Sequence, residues 1–130
     1  MIFTDKQKLK SESEIQLEGV KFLEGLGVVA TRTNSGKVRV RGGWMQLCKN
    51  GWPDVTGYSD KAIFIGIEFK DVKSWLSKNN GASSDQIKSL IDIASKGGLC
   101  GVACCNEHIE RILKGEKVGS IFTNRIIQTI

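Results

Sequence analysis

The stretch Ala62-Ile63-Phe64-Ile65-Gly66-Ile67-Glu68-Phe69-Lys70 decides the fold. It is apolar almost throughout, as a β-strand covered on both faces must be. Side chains alternate along a strand, so Ile63, Ile65, Ile67 and Phe69 share one face and can anchor it in a core. Glu68 and Lys70 share the other. Two ionised side chains at the end of such a strand are costly to bury unless something compensates them. Just upstream, Gly51-Trp52-Pro53 breaks the chain, because proline fixes φ and cannot donate to a ladder. Asp54 to Tyr58 then reads as a second strand, turned by Ser59-Asp60-Lys61 into the first.

Outward from this pair the pattern alternates between helix and strand. Towards the N-terminus, Ser11 with Glu14 three residues on forms a capping box. It opens a helix over Glu12 to Leu26, with Ile15, Phe22, Leu23 and Leu26 at helical spacing and Gly27 as the stop. Val28 to Thr33 reads as a strand, Asn34-Ser35-Gly36 as a turn, and Lys37 to Arg41 as a half-exposed strand of alternating charged and apolar residues. Together they predict a hairpin with a basic outer face, interrupted by Gly42-Gly43 and resumed from Trp44 to Cys48. Towards the C-terminus, Asp71 to Ala82 reads as an irregular loop. A second capping box, Ser83 with Gln86, opens a helix whose buried stripe is Ile87, Leu90, Ile91 and Ala94, ended by Gly97-Gly98. Leu99 to Cys105 is a buried strand, Glu107 to Leu113 a short helix, and Gly119 to Ile130 a β-prone segment suited to an edge strand or a partner contact. This order implies an α/β sandwich with a mixed central sheet and helices on both faces.

The 130 residues, 40% hydrophobic and 25% charged, suit one ordinary globular domain. Its core is expected over about 11–114, with 115–130 as a C-terminal extension. No apolar run approaches the roughly 20 residues of a membrane span, and the polar, lysine-rich start has no apolar stretch of the kind a secretory signal carries. A cytosolic setting is therefore expected. Cys100, Cys104 and Cys105 lie in an apolar run while Cys48 stands apart, which favours buried thiols. With no C-x2-C pair and His108 as the single histidine, zinc is not expected and His108 receives no role.

The net charge of +5 is unevenly distributed. From Gly25 to Pro53 there is no acidic residue, but there are Arg32, Lys37, Arg39, Arg41 and Lys49. A segment of one sign points to a polyanionic partner, most simply a nucleic-acid backbone. Arg32, Asn34, Lys37, Arg39 and Arg41 are the candidate phosphate contacts, against the blander reading of a solvated hairpin face. Trp44, Trp52 and Trp75 offer stacking surfaces for bases, although tryptophans in a small domain are more often core.

The chemistry-bearing set is Asp54, Glu68 and Lys70. A carboxylate pair from adjacent strands, with a lysine beside it, becomes a compensated arrangement if a divalent cation binds between the acids. Oxygen ligands select a hard ion such as magnesium, which accepts substrate phosphate oxygens and lowers the pKa of coordinated water. Lys70 is placed to orient or help deprotonate an attacking water, or to neutralise the transition state. Singly, Pro-Asp is a common turn dipeptide and Glu-x-Lys a common surface ion pair.

In combination, Pro53-Asp54 followed by Glu68-Phe69-Lys70 resembles the signature of the PD-(D/E)xK nuclease superfamily, and more closely its VRR-NUC branch. The similarity spans Ser11 to about Glu107. It includes Glu12-Ser13-Glu14-Ile15-Gln16, Arg32-Thr33-Asn34-Ser35-Gly36, Gly51-Trp52-Pro53-Asp54, Ile67-Glu68-Phe69-Lys70 and Ser84-Asp85-Gln86. Trp52 stands where a small residue is more usual, and the stretch after Gly115 has no counterpart. The resemblance implies a restriction-endonuclease-like core and a metal-dependent endonuclease. Its metal, magnesium or manganese, is expected at Asp54, Glu68 and Phe69, with no small-molecule cofactor. A helix-one glutamate and a glutamine would support the site. It also implies a stand-alone enzyme of phage or mobile-element type acting on branched DNA, such as four-way junctions or flaps. Symmetric cutting of a junction needs two active sites, so a homodimer is expected. A sequence-specific restriction enzyme and a non-cleaving DNA-binding module are the alternatives.

Two supporting residues have double readings. At about 100° per residue, Glu12 falls near the centre of the apolar stripe of its helix, whereas Glu14 points away and serves the capping box. Glu12 is thus the inward acid, or else a solvated first-turn carboxylate favoured by the helix dipole. Gln86 either completes its capping box or reaches the lysine and substrate.

Overall fold

A computed structural model describes residues 2–33 and 37–122. In chain order the elements are α1 (Asp5–Lys8), α2 (Glu12–Gly25), β1 (Val29–Arg32), β2 (Lys37–Val40), β3 (Gly43–Gln46), β4 (Val55–Tyr58), β5 (Phe64–Phe69), α3 (Val72–Trp75), a 3-10 turn (Lys78–Gly81), α4 (Ser84–Ser95), β6 (Leu99–Ala103) and α5 (Asn106–Leu113).

The central sheet has the order β1-β4-β5-β6. β4 is antiparallel to both β1 and β5, and β5 is parallel to β6, so the sheet is mixed. Parallel neighbours need a crossover, and α4 supplies it. One face of β5 carries Ile65, Ile67 and Phe69, which pack with Ile15 and Leu23 of α2 and with Ile109 and Ile112 of α5. On the opposite face of the sheet, Ile87 and Leu90 of α4 pack with Cys100 and Val102 of β6. The chain is therefore a mixed α/β sandwich flanked by helices, as its element order implies. Each fully buried Leu, Ile, Val or Phe of this core contributes roughly 1.5–3 kcal/mol. No helix of the described residues is long and apolar enough to cross a membrane.

Three expectations need correction, and one element is added. The expected β1–β2 hairpin does not form: β1 pairs with β4, and β2 pairs with β3 in a separate two-stranded ribbon. Gly42 explains the ribbon, because its φ of +92° turns the chain where an interruption was expected. The supposed loop from Asp71 holds a helical turn, α3, since Asp71 Oδ1 accepts the Ser74 amide at 2.8 Å, and a 3-10 turn follows. Near the start, Thr4 and Gln7 make a reciprocal capping box that opens α1, an element absent from the sequence reading. The β-prone segment from Gly119 is helical over Ser120, Ile121 and Phe122, with Ile121 and Phe122 buried alongside α4. Its remainder lies outside the described residues, as does Asn34.

Candidate functional site

The register of β4 and β5 places Val55 opposite Ile67. One residue beyond, Asp54 faces Glu68 on the side of the sheet covered by α4. Several contacts fix Asp54 there. Its Oδ2 accepts the Phe69 amide at 2.8 Å. Its own carbonyl accepts the Thr33 amide at 2.8 Å, and the Thr33 hydroxyl donates to the carbonyl of Pro53. Gly51, with φ of +80°, presses against the Asp85 backbone so closely that an added Cβ would sit 2.3 Å from it. The Pro53-Asp54 segment is thereby held against the start of α4, where Gln86 sits.

Glu68 is only 1% exposed. Its Oε1 accepts the Gln86 side-chain amide at 2.8 Å, while Oε2 has no hydrogen-bond partner. Burial, followed by the charge of Asp54, pushes the Glu68 carboxyl up to about 9. Without a cation Glu68 is thus a neutral acid. Lys70 Nζ lies 4.0 Å from Glu68 Oε1, too far for a hydrogen bond, and opposes that shift. Lys70 is anchored through its backbone, whose amide donates to Ala103 at 3.0 Å.

Gln86 performs both of its possible roles at once. Its Oε1 accepts the Ser83 amide at 2.9 Å and closes the capping box, while its Nε2 donates to Glu68. A glutamate would serve the cap equally well but has no donor for Glu68. Glu12, at the first turn of α2, keeps contact with solvent. Partial burial and the charge of Asp54 raise its carboxyl, against the pull of Lys70, so it faces this same centre. The Ser11 box is half-formed: Ser11 Oγ accepts the Glu14 amide at 3.2 Å, but Glu14 turns to the Ser11 hydroxyl rather than to its amide.

The donor set fits a hard divalent cation. Two carboxylates are forced together, one carrying a buried oxygen with no partner, and a cation would relieve both costs. Asp54 and Glu68 are the direct candidates, with the Phe69 backbone between them and Glu12 further out.

The basic residues fall into two groups. Arg32 ends β1 beside Asp54 and donates through Nε to Gln16 at 3.2 Å. Arg39 and Arg41 are exposed on the β2–β3 ribbon, where Arg39 pairs with Trp44, itself 68% exposed. The ribbon is inserted between Thr33 and Gly51, so it departs from and returns to the Asp54 end of the sheet. Lys37 belongs to β2. Trp52 packs edge-on against Phe64, and Trp75 stacks on His108, so these two serve packing and Trp44 alone stands free of the core.

Sequence reasoning missed a second cluster. Among the described residues, the one set of three His, Cys, Asp or Glu ligand atoms drawn within 4.8 Å belongs to Cys104, Cys105 and His108. The hydrogen bond from Cys104 holds the Cys105 thiol below its usual range and, with burial, pushes Cys104 up. The available signal was Cys105-x-x-His108, a ligand spacing that a search for paired cysteines passes over.

No protein-family model matches this chain, and no curated protein matches it.

Proposed function

We propose that the chain is a divalent-metal-dependent DNA endonuclease with a restriction-endonuclease-like core of the VRR-NUC kind. The observation that carries this reading is Glu68: a fully buried carboxyl facing Asp54, with one oxygen unpartnered and Gln86 and Lys70 beside it. A purely structural acid at that position would be paired or replaced, because burying it against another acid is destabilising.

Asp54, Glu68 and the Phe69 backbone would hold magnesium, or manganese in its place, and the ion supplies charge neutralisation at the scissile phosphate. Glu68 must release its proton to load the site. Gln86 would keep one Glu68 oxygen fixed by its amide, leaving the other free for a cation. Lys70 carries a positive charge on the same strand face, where it orients water and offsets charge developing on the phosphate oxygens. Glu12 adds negative charge at the rim and tunes the proton held there. Arg39, Arg41 and Lys37 on the ribbon, with Arg32 at its root, bind the DNA backbone. Backbone contacts from a single small domain favour shape over base readout, hence branched substrates such as four-way junctions and flaps. Two active sites are needed for symmetric junction cutting, which implies a homodimer. Light scattering at micromolar concentration tests this, and a monomer contradicts it.

The substrate test compares a labelled four-way junction, a matched flap and plain duplex, each with magnesium and with EDTA. Magnesium-dependent cutting ranked junction or flap above duplex is the expected result. Discrete bands from plain plasmid would favour a sequence-specific restriction enzyme. Tight binding with no cutting in either metal would leave a DNA-binding module.

A further inference from the structure

We infer that Cys104, Cys105 and His108 form a binding site for a soft divalent transition metal of the zinc class, separate from the acidic centre. Three donors are already assembled. Their ligand atoms lie within 4.8 Å of one another, and Cys104 Sγ is 3.7 Å from His108 Nδ1. The 3.7 Å separation matches one edge of a small tetrahedral site, which Cys and His donors favour and magnesium does not.

Local structure explains the convergence. Cys105 is the N-cap of α5 and His108 its third residue, the two positions whose side chains face each other in a capping box. Cys105 makes no capping hydrogen bond, so its sulfur is not committed to the helix. His108 Nδ1 accepts the Cys104 amide at 3.1 Å, which marks it as the unprotonated nitrogen, and a metal would displace that amide from its one lone pair. The ring cannot swing away: it is fully buried, stacked on Trp75 with centroids 4.4 Å apart and met edge-on by Phe3.

The two cysteines have little else to do together. Adjacent Cα atoms are about 3.8 Å apart across a trans peptide, short of the roughly 4.4–6.8 Å that an unstrained disulfide spans. Both thiols are free. A divalent ion bound to two thiolates and a neutral imidazole carries no net charge, which suits a buried site. Cys105 is half-buried and opens onto a cleft of about 170 Å³ that also touches Lys10, Glu18, Asn106 and Glu107. That cleft gives the ion its entry path and leaves the fourth ligand to a water or an acid from the rim. On binding, each sulfur still protonated gives its proton to solvent as the sulfur–metal bond forms, with no electron transferred.

The experiment is a cobalt(II) titration of the chelator-stripped full chain, followed by the thiolate-to-cobalt charge-transfer band in the near ultraviolet. Carboxylate ligands give no such band, so the result is independent of the nuclease reading. The expected result is a band saturating at one cobalt per chain and displaced by zinc. Cys105→Ser should weaken binding at least tenfold, whereas Cys48→Ser should leave it unchanged. Serine is a favoured N-cap, so Cys105→Ser should fold, and its circular dichroism verifies that. Absence of the band at ten equivalents of cobalt overturns the site, as does a band that persists undiminished in Cys105→Ser.

Discussion

Replacing Glu68 with glutamine should make the metal-free protein more stable at neutral and alkaline pH, and the size of the effect follows from one proton. The folded-state pKa of Glu68 is raised from an ordinary value of 4.5 to about 9. Between those values the native state holds a proton that the unfolded chain releases, so the wild type loses stability as pH rises through that window. The slope cannot exceed one proton, about 1.4 kcal/mol per pH unit. From pH 6 to 8 the loss therefore approaches roughly 3 kcal/mol, or on the order of 10 °C in Tm for a chain of this size. Glutamine is nearly isosteric with the protonated acid. Its carbonyl accepts from Gln86 as Glu68 Oε1 does, and it does not titrate. Urea denaturation of both proteins in EDTA at several pH values isolates the term, because the other titrating groups largely cancel in the difference. The two should match near pH 5, with the variant increasingly ahead above pH 6. Parallel curves would refute the claim that burial against Asp54 holds a proton on Glu68.

Other outcomes follow from the same geometry. Because Glu68 must lose its proton to bind a cation, the magnesium concentration for half-maximal cleavage should fall by about tenfold per pH unit between pH 6 and 8. A pH-independent midpoint would count against Glu68 as a ligand. Gln86→Ala removes one half of the capping box and strips the donor from a buried oxygen, for about 1–3 kcal/mol by chemical denaturation. Gln86→Glu keeps the cap but sets a carboxylate against Glu68, so it should lose stability as pH rises and cleave at least tenfold more slowly. Arg39→Ala and Arg41→Ala should each weaken DNA binding across all sequences and lower the salt slope by about 1, read by fluorescence anisotropy with Asp54→Asn as background.

The sequence made the central pair legible because strand alternation is strict. Once Ile65, Ile67 and Phe69 are assigned to a core, Glu68 and Lys70 can lie only on the other face. Pro53 marks where the neighbouring strand begins, which sets Asp54 within reach. The ribbon was misassigned because nearest-neighbour hairpins are the default, and nothing local says that β1 will prefer β4 across the 22 residues between them. Gln86 looked like a choice between two roles, since one-dimensional spacing cannot show that the two ends of one amide serve different partners. The thiol–imidazole cluster escaped because its donors come from a strand end and a helix start, and because adjacent cysteines in an apolar run read as packing.

Cleavage of a labelled four-way junction in magnesium, by the wild type and by Asp54→Asn, tests the central claim most directly. Asp54 keeps its Phe69 contact as asparagine but loses the charge needed to hold a cation. The expected result is wild-type cutting that vanishes in EDTA and falls at least a thousandfold in the variant, with junction binding retained. Wild-type cutting that persists in Asp54→Asn, or a wild type that binds and never cuts, would contradict it.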